Sequence, residues 1–120
     1  MTSRVMRWLR SRRADAAQRR ADAEQRAAHA ARLAALDIQR RQLQDRARSL
    51  YAAAEAGGSY PERCRLYHLA LAADARAEAL HWRMGGDEET ALIWTRDAED
   101  YERRAGEPRP VAAPQEAAHA

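Results

Sequence analysis

The first 56 residues contain neither glycine nor proline, the two residue types that most often end a helix. Most of this stretch is alanine, arginine, glutamine, glutamate and leucine, which are strong helix formers. We therefore expect one helix from about Ser3 to Ala56. At a rise of about 1.5 Å per residue the helix would be roughly 80 Å long, which exceeds the width of a globule of this chain length.

Large apolar side chains are scarce. Phenylalanine is absent, and alanine makes up more than half of the 46% hydrophobic fraction. This composition does not fill a large core and favours thin seams between helices. The longest interior run of uncharged apolar residues, Leu69 to Ala73, is too short to cross a bilayer.

Lysine is absent and cysteine occurs once. Because the single Cys64 cannot form a disulfide within the chain, we expect a reducing, cytoplasmic compartment, with the protein peripheral at a membrane if its N-terminus docks there. Arginines interrupt the apolar residues at the N-terminus, so no secretory signal is expected. The exclusive use of arginine as the basic residue, together with abundant alanine, indicates a GC-rich genome and a bacterial source.

The net charge of +3 hides a gradient along the chain. Residues 1–13 carry five arginines and no acidic residue, whereas residues 57–106 carry seven arginines against ten acidic residues. The basic end and the acidic body would attract different partners, or each other in an assembly.

The basic N-terminus has the pattern of an amphipathic helix. On a helical wheel the apolar residues Met1, Val5, Met6, Trp8 and Leu9 share one side, opposite several arginines. Such a face suits docking on an anionic membrane surface or on a partner protein. The alternatives are that the arginines neutralise nucleic-acid phosphates or serve an organelle-targeting sequence, and that the apolar side packs on a neighbouring chain. The candidate docking residues are Arg4, Val5, Arg7, Trp8, Leu9, Arg10, Arg12 and Arg13.

Residues 10–32 contain no apolar side chain larger than alanine. Ion pairs four residues apart, such as Asp22 with Arg26, would support this segment as a helix. We expect either a solvated helical arm or a close-packed alanine seam in an oligomer.

From residue 33 leucine becomes periodic. Leu36, Leu43 and Leu50 recur every seven residues, and intervening positions are taken by Leu33, Ala47 and Ala54. This heptad stripe indicates a seam, either between chains in a coiled coil or within a bundle.

Two Gly-Gly pairs separate the remaining helices. Ser59 and Glu62 have the spacing of a capping box, which predicts a second helix from about Pro61 to Met84. Asp87 is a good N-cap for a third helix from about Glu88 to Arg104, whose apolar stripe includes Trp94 and Tyr101. Residues 107–120, with three prolines, are expected to be a disordered tail.

The predicted fold is all-α: a long N-terminal helix and two shorter helices form a small antiparallel three-helix bundle, and a helical arm overhangs it. The expected divisions are a basic arm with an amphipathic tip over 1–32, the bundle over 33–106 and the tail over 107–120. The predicted oligomer or bundle seam consists of Leu33, Leu36, Leu43, Leu50, Trp94 and Tyr101.

Two pairs of residues have spacings found in metal sites. Cys64 and His68 are four residues apart, but no second pair completes a tetrahedral set. Glu78 and His81 form the Glu-x-x-His half of a di-iron carboxylate site, whose other half would come from a second chain. We expect both pairs to be structural, with no metal, cofactor or catalytic residue.

Gly86-Asp87 followed by Ala91 and Ala98, with Trp82 upstream, resembles the inner half of a tetratricopeptide repeat. In that family small residues at such spacings let two helices pack closely. The resemblance covers residues 79–98, and since no second repeat follows, it implies no function here.

These patterns favour a non-catalytic helical adaptor or scaffold subunit that mediates protein–protein assembly and docks through its basic N-terminus. The expected partner is another protein or a second copy of the chain, with an anionic membrane surface or nucleic acid contacted by the tip and no small-molecule substrate. The alternative is a nucleic-acid-binding accessory protein that uses the arginine-rich arm. A metal–carboxylate site assembled in an oligomer is a distant third.

Overall fold

A computed structural model describes residues 2–107, with the backbone alone for Thr2. It contains three helices, α1 (Thr2–Glu55), α2 (Tyr60–Met84) and α3 (Glu88–Gly106), and no strand within those residues. The predicted all-α fold with a long N-terminal helix is confirmed. Met1 and residues 108–120, most of the predicted tail, lie outside the described residues.

The chain divides into two compact units, Met1–Ala35 and Leu36–Ala120, and helix α1 contributes to both. In the first unit, every described side chain is exposed except those of Ala16, Asp22 and Leu33, which are half-buried. Asp22 does not pair with Arg26 as expected; its carboxylate accepts a hydrogen bond from the Gln18 side-chain amide, at 2.9 Å. The division of function between arm and bundle stays a prediction.

The turn between α1 and α2 follows from local chemistry. Gly57 and Gly58 have φ angles of +123° and +111°, in the region that side-chain-bearing residues rarely adopt. The Ser59 hydroxyl then accepts a hydrogen bond from the Glu62 backbone N–H at 3.3 Å, as the capping pattern predicts. Arg63 Nε donates to the Ala54 carbonyl oxygen at 3.0 Å, so the first turn of α2 is tied to the last turn of α1.

The turn between α2 and α3 is capped in the same manner. Gly86 has a φ of +83°, and Asp87 Oδ1 accepts a hydrogen bond from the Thr90 backbone N–H at 3.0 Å. The Thr90 hydroxyl donates to the other carboxylate oxygen at 2.7 Å. The backbone bond first, and the hydroxyl bond second, lower the pKa of the Asp87 carboxyl. Asp87 therefore caps α3 as a carboxylate at neutral pH.

The core of the described chain is built almost entirely of alanine. Its buried apolar residues are eleven alanines and one leucine: Ala47, Ala54, Ala70, Ala72, Ala73, Ala75, Ala77, Ala79, Leu80, Ala91, Ala98 and Ala105. Each helix carries buried alanines seven residues apart, which places them on one side of the helix. Small side chains at such positions allow helix axes to approach closely, with little apolar area buried per residue.

Helix α2 packs against both neighbours. His68 and Arg76 reach α3, through ring stacking on Tyr101 and an ion pair with Glu102. Ala72 and Ala79 share that side of α2, because their positions follow His68 at helical spacing. On another side, Arg63, Tyr67 and Asp74 contact α1, and Ala70 and Ala77 are in register with these three residues. The sequence pattern predicts one apolar stripe on α2, and the structure has two buried faces. The predicted stripe consists of Leu66, Ala70, Ala73, Ala77, Leu80 and Met84.

Candidate interaction surfaces

The predicted seam residues occupy the margins of the helix contacts. Leu33, Leu36, Leu43, Leu50, Trp94 and Tyr101 are all half-buried. On α1 the most buried side chains are the two alanines of the predicted heptad stripe, Ala47 and Ala54, which are 1% and 0% exposed. The helices therefore approach each other most closely at the buried alanines, and the leucines lie on either side of these alanines. It stays a prediction that these six residues form a seam, either between chains in an oligomer or within the bundle.

A polar contact that sequence reasoning missed joins α1 to α2. The Tyr51 hydroxyl donates to Asp74 Oδ2 at 3.1 Å, and the Tyr51 ring lies 6.2 Å from that of Tyr67. Burial first, and the hydrogen bond to the carboxylate second, raise the pKa of Tyr51 above its ordinary value of 10.0. The sequence feature that pointed to this contact is Asp74 itself, because it is an acidic residue within a run of alanines. The alanines on either side of Asp74 are buried.

Because of this contact, the free energy of unfolding should fall at alkaline pH. Because the pKa of Tyr51 is higher in the folded state, its stabilisation is complete below the unfolded pKa of about 10 and is lost as pH rises through the folded pKa. Tyr51→Phe should lower the free energy of unfolding by about 1 kcal/mol at neutral pH and flatten its decline above pH 10. Urea denaturation across the alkaline range measures both effects.

Tyr60→Phe is the matched control, since the Tyr60 side chain is exposed. This variant should follow the wild type at every pH. Equal alkaline slopes for Tyr51→Phe and the wild type would show that the hydrogen bond to Asp74 does not contribute to stability.

A cleft of about 280 Å³ lies beside this contact, within the second unit. Residues of all three helices line it, among them Gln44 of α1, Asp74 and Glu78 of α2, and Trp94 and Tyr101 of α3. Carboxylates next to aromatic rings are the chemistry that accommodates an organic cation such as an arginine side chain. Two of the predicted seam residues, Trp94 and Tyr101, are thus brought together in one cleft.

The two candidate metal pairs remain separate from further ligands. Within residues 2–107, no group of three His, Cys, Asp or Glu side chains is arranged to hold a metal ion. Cys64 and His68 are half-buried, and the His68 ring stacks on Tyr101 at 6.3 Å. Glu78 and His81 are exposed, and the His81 and Trp82 rings form a T-shaped pair with their centres 5.7 Å apart.

Several large apolar side chains of the second unit face solvent. Leu92 and Ile93 are adjacent on α3, and Ile38 lies on α1; each is about half exposed or more. They are as large as the leucines that flank the seams, yet alanines hold all but one of the buried positions in the described chain. The second unit therefore presents apolar area that its own helices leave uncovered.

The basic N-terminus keeps both of its faces exposed. All eight candidate docking residues are exposed: Arg4, Val5, Arg7, Trp8, Leu9, Arg10, Arg12 and Arg13. The Arg12 guanidinium carbon lies 4.9 Å from the centre of the Trp8 ring, within the range of a cation–π contact. Arg12 therefore lies directly against an apolar side chain of this segment.

No described helix has the length and apolar character needed to cross a membrane. Comparison with known proteins gives no match to this chain among family models, curated proteins or solved structures.

Proposed function

We propose that this chain is a non-catalytic helical adaptor or scaffold subunit that assembles with other protein chains, copies of itself included. The second unit would form the assembling surface, and the basic N-terminus would dock on a further surface. The half-buried Cys64 is consistent with the reducing, cytoplasmic compartment that this proposal assumes.

The proposal is supported mainly by where the apolar residues lie: small ones are buried and several large ones are exposed. In the described chain, alanine fills every buried position except that of Leu80, while Ile38, Leu92 and Ile93 face solvent. Each square ångström of buried apolar surface contributes roughly 25 cal/mol of stabilisation. Because an alanine buries little area, helix packing within the chain contributes little stabilisation of this kind. Association that covers these side chains would supply further burial, as small helical domains commonly require.

Measurement of mass in solution tests this proposal. Light scattering at micromolar concentration should give a dimer or larger, against a chain mass of 13.5 kDa. The double variant Leu92→Ser/Ile93→Ser should shift the mass towards the monomer and retain its helix content, because both side chains are exposed in the isolated chain. A monomeric wild type with full helix content and cooperative melting would overturn the proposal.

Nucleic-acid binding by the arm is the second candidate, and the five exposed arginines of the first 13 residues support it. Such binding would fall steeply with salt and would not depend on Trp8.

A further inference from the structure

We propose that the N-terminal turns of α1 dock on the surface of an anionic phospholipid membrane and lie in the interfacial plane. This inference deepens the proposed function, on which it rests for the idea of a docking tip, by naming the surface that the tip contacts. We call residues 3–13 the basic tip.

The basic tip presents a compact apolar area to solvent. Val5, Met6, Trp8 and Leu9 are 58%, 51%, 56% and 37% exposed. Positions 5, 8 and 9 are neighbours on a helix surface, three and four residues apart, and position 6 lies at the edge of the same side. The area ends abruptly, because the next 23 residues of α1 carry no apolar side chain larger than alanine.

The charge of the basic tip is of one sign. Its five arginines are exposed, and the first acidic residue of the chain is Asp15. Arg4, Arg7 and Arg10 lie on the side opposite the apolar residues, one turn apart. This arrangement complements a surface that is negative at headgroup level and apolar immediately beneath.

Arg12 brings a positive charge next to the apolar face of the basic tip. Its guanidinium stacks over the Trp8 ring, 4.9 Å from the ring centre, although its position falls on the apolar side of the wheel. Long arginine side chains bury their methylene groups along apolar surface and keep the charged end in water. A tryptophan with an adjacent arginine therefore fits the boundary between acyl chains and headgroups, where each part meets its preferred surroundings.

The apolar residues decide between lipid and nucleic acid. Phosphate contacts would occupy the arginines and leave Val5, Met6 and Leu9 in water, so these side chains would contribute nothing to binding. At a lipid interface the same side chains and the arginines are used together. One amphipathic segment of this length binds reversibly, and an assembly that presents several tips would add avidity.

Sedimentation with lipid vesicles tests the inference. The full chain should sediment with vesicles of phosphatidylcholine containing phosphatidylserine and stay in solution with phosphatidylcholine alone. Arg4→Gln/Arg7→Gln should weaken binding roughly 30-fold, from the attraction of each arginine to an anionic surface. Trp8→Ala should weaken it roughly tenfold, from the lost apolar burial.

The chain offers a matched control for each change. Val5 and Ile38 are both 58% exposed on α1, so Val5→Gln should weaken vesicle binding and Ile38→Gln should not. Arg19→Gln/Arg20→Gln removes the same charge as the arginine variant from outside the tip and should have the smaller effect. Circular dichroism of each variant establishes that the helix is retained.

Three results would overturn the inference: no sedimentation with anionic vesicles, sedimentation that Trp8→Ala and Val5→Gln leave unchanged, or preferential binding to duplex DNA that ignores Trp8. A fall in mass on Trp8→Ala without lipid would assign the tip to contact between chains instead. The proposed function is judged separately, by the mass of the intact chain without lipid. A monomer that sediments with anionic vesicles would remove that proposal and retain this inference.

Discussion

Replacement of Ala98 by leucine should destabilise the helical bundle by about 3 kcal/mol, which is much of the stability available to a domain of this size. Ala98 is 0% exposed and lies midway along α3, between the buried Ala91 and Ala105. Helix α3 packs on α2, and Ala72 and Ala79 lie on the side of α2 from which Arg76 reaches α3. Three additional carbon atoms at Ala98 would force these helices apart along their whole contact, because close packing leaves no room for them.

Ala52→Leu is the control for this prediction. Ala52 is an exposed alanine in the last turn of α1, so the same change of side chain leaves the packing undisturbed there. Its effect should stay within about 0.5 kcal/mol. Thermal and urea denaturation followed by circular dichroism measure both variants. Should Ala98→Leu melt at or above the wild-type temperature, the contact between α2 and α3 is loose and the alanine core is not tightly packed.

Leu43→Asp should lower both helix content and association, with a loss of about 2 kcal/mol in the free energy of unfolding. Leu43 is half-buried and lines a narrow cleft of about 140 Å³ together with Leu69 and Ala73 of α2. A carboxylate there loses part of its hydration, and the apolar contact of the leucine is removed. Circular dichroism and light scattering on the same sample report the two losses.

Two further variants make the result at Leu43 interpretable. Ile38→Asp places the same charge on α1 at a site that is 58% exposed, and it should leave the fold intact. Leu43→Ser removes the leucine without a charge; this matters because Arg46 and Arg76 line the same cleft and would attract an aspartate. If Leu43→Asp and Leu43→Ser both lower the mass without any loss of helix, the leucine stripe faces a second chain and not α2.

Helix boundaries were predictable because they depend on neighbours in sequence. α1 begins at Thr2 and ends at Glu55, where the expected limits were Ser3 and Ala56. Ser59 and Asp87 cap α2 and α3 through bonds to backbone N–H groups three residues ahead. A glycine conformation or a cap involves only a few adjacent residues, so composition and spacing contain the required information.

Burial was predicted less well, because side-chain size was used as a guide to depth. Leu43 and Leu50 were expected to form the seam together with Ala47 and Ala54, and of these four residues only the two alanines are buried. In α2 the second buried face, through Ala72 and Ala79, was missed. Alanine carries almost no hydrophobic signal, so the sequence does not show that an alanine lies deeper than a leucine beside it; the separation of the helices decides that.

The sequence by itself determined the number, limits and capping of the helices, the basic, acid-free start of the chain and its amphipathic pattern. Only the tertiary structure decided that the alanines of the predicted stripes lie deeper than the leucines beside them, that α2 has a second buried face, that Tyr51 bonds to Asp74 and that Trp94 and Tyr101 share a cleft with two carboxylates. The physical reason is the separation in sequence between the residues that interact. Helix formation is governed by hydrogen bonds four residues apart, whereas burial depends on how closely two helices, distant in sequence, approach each other.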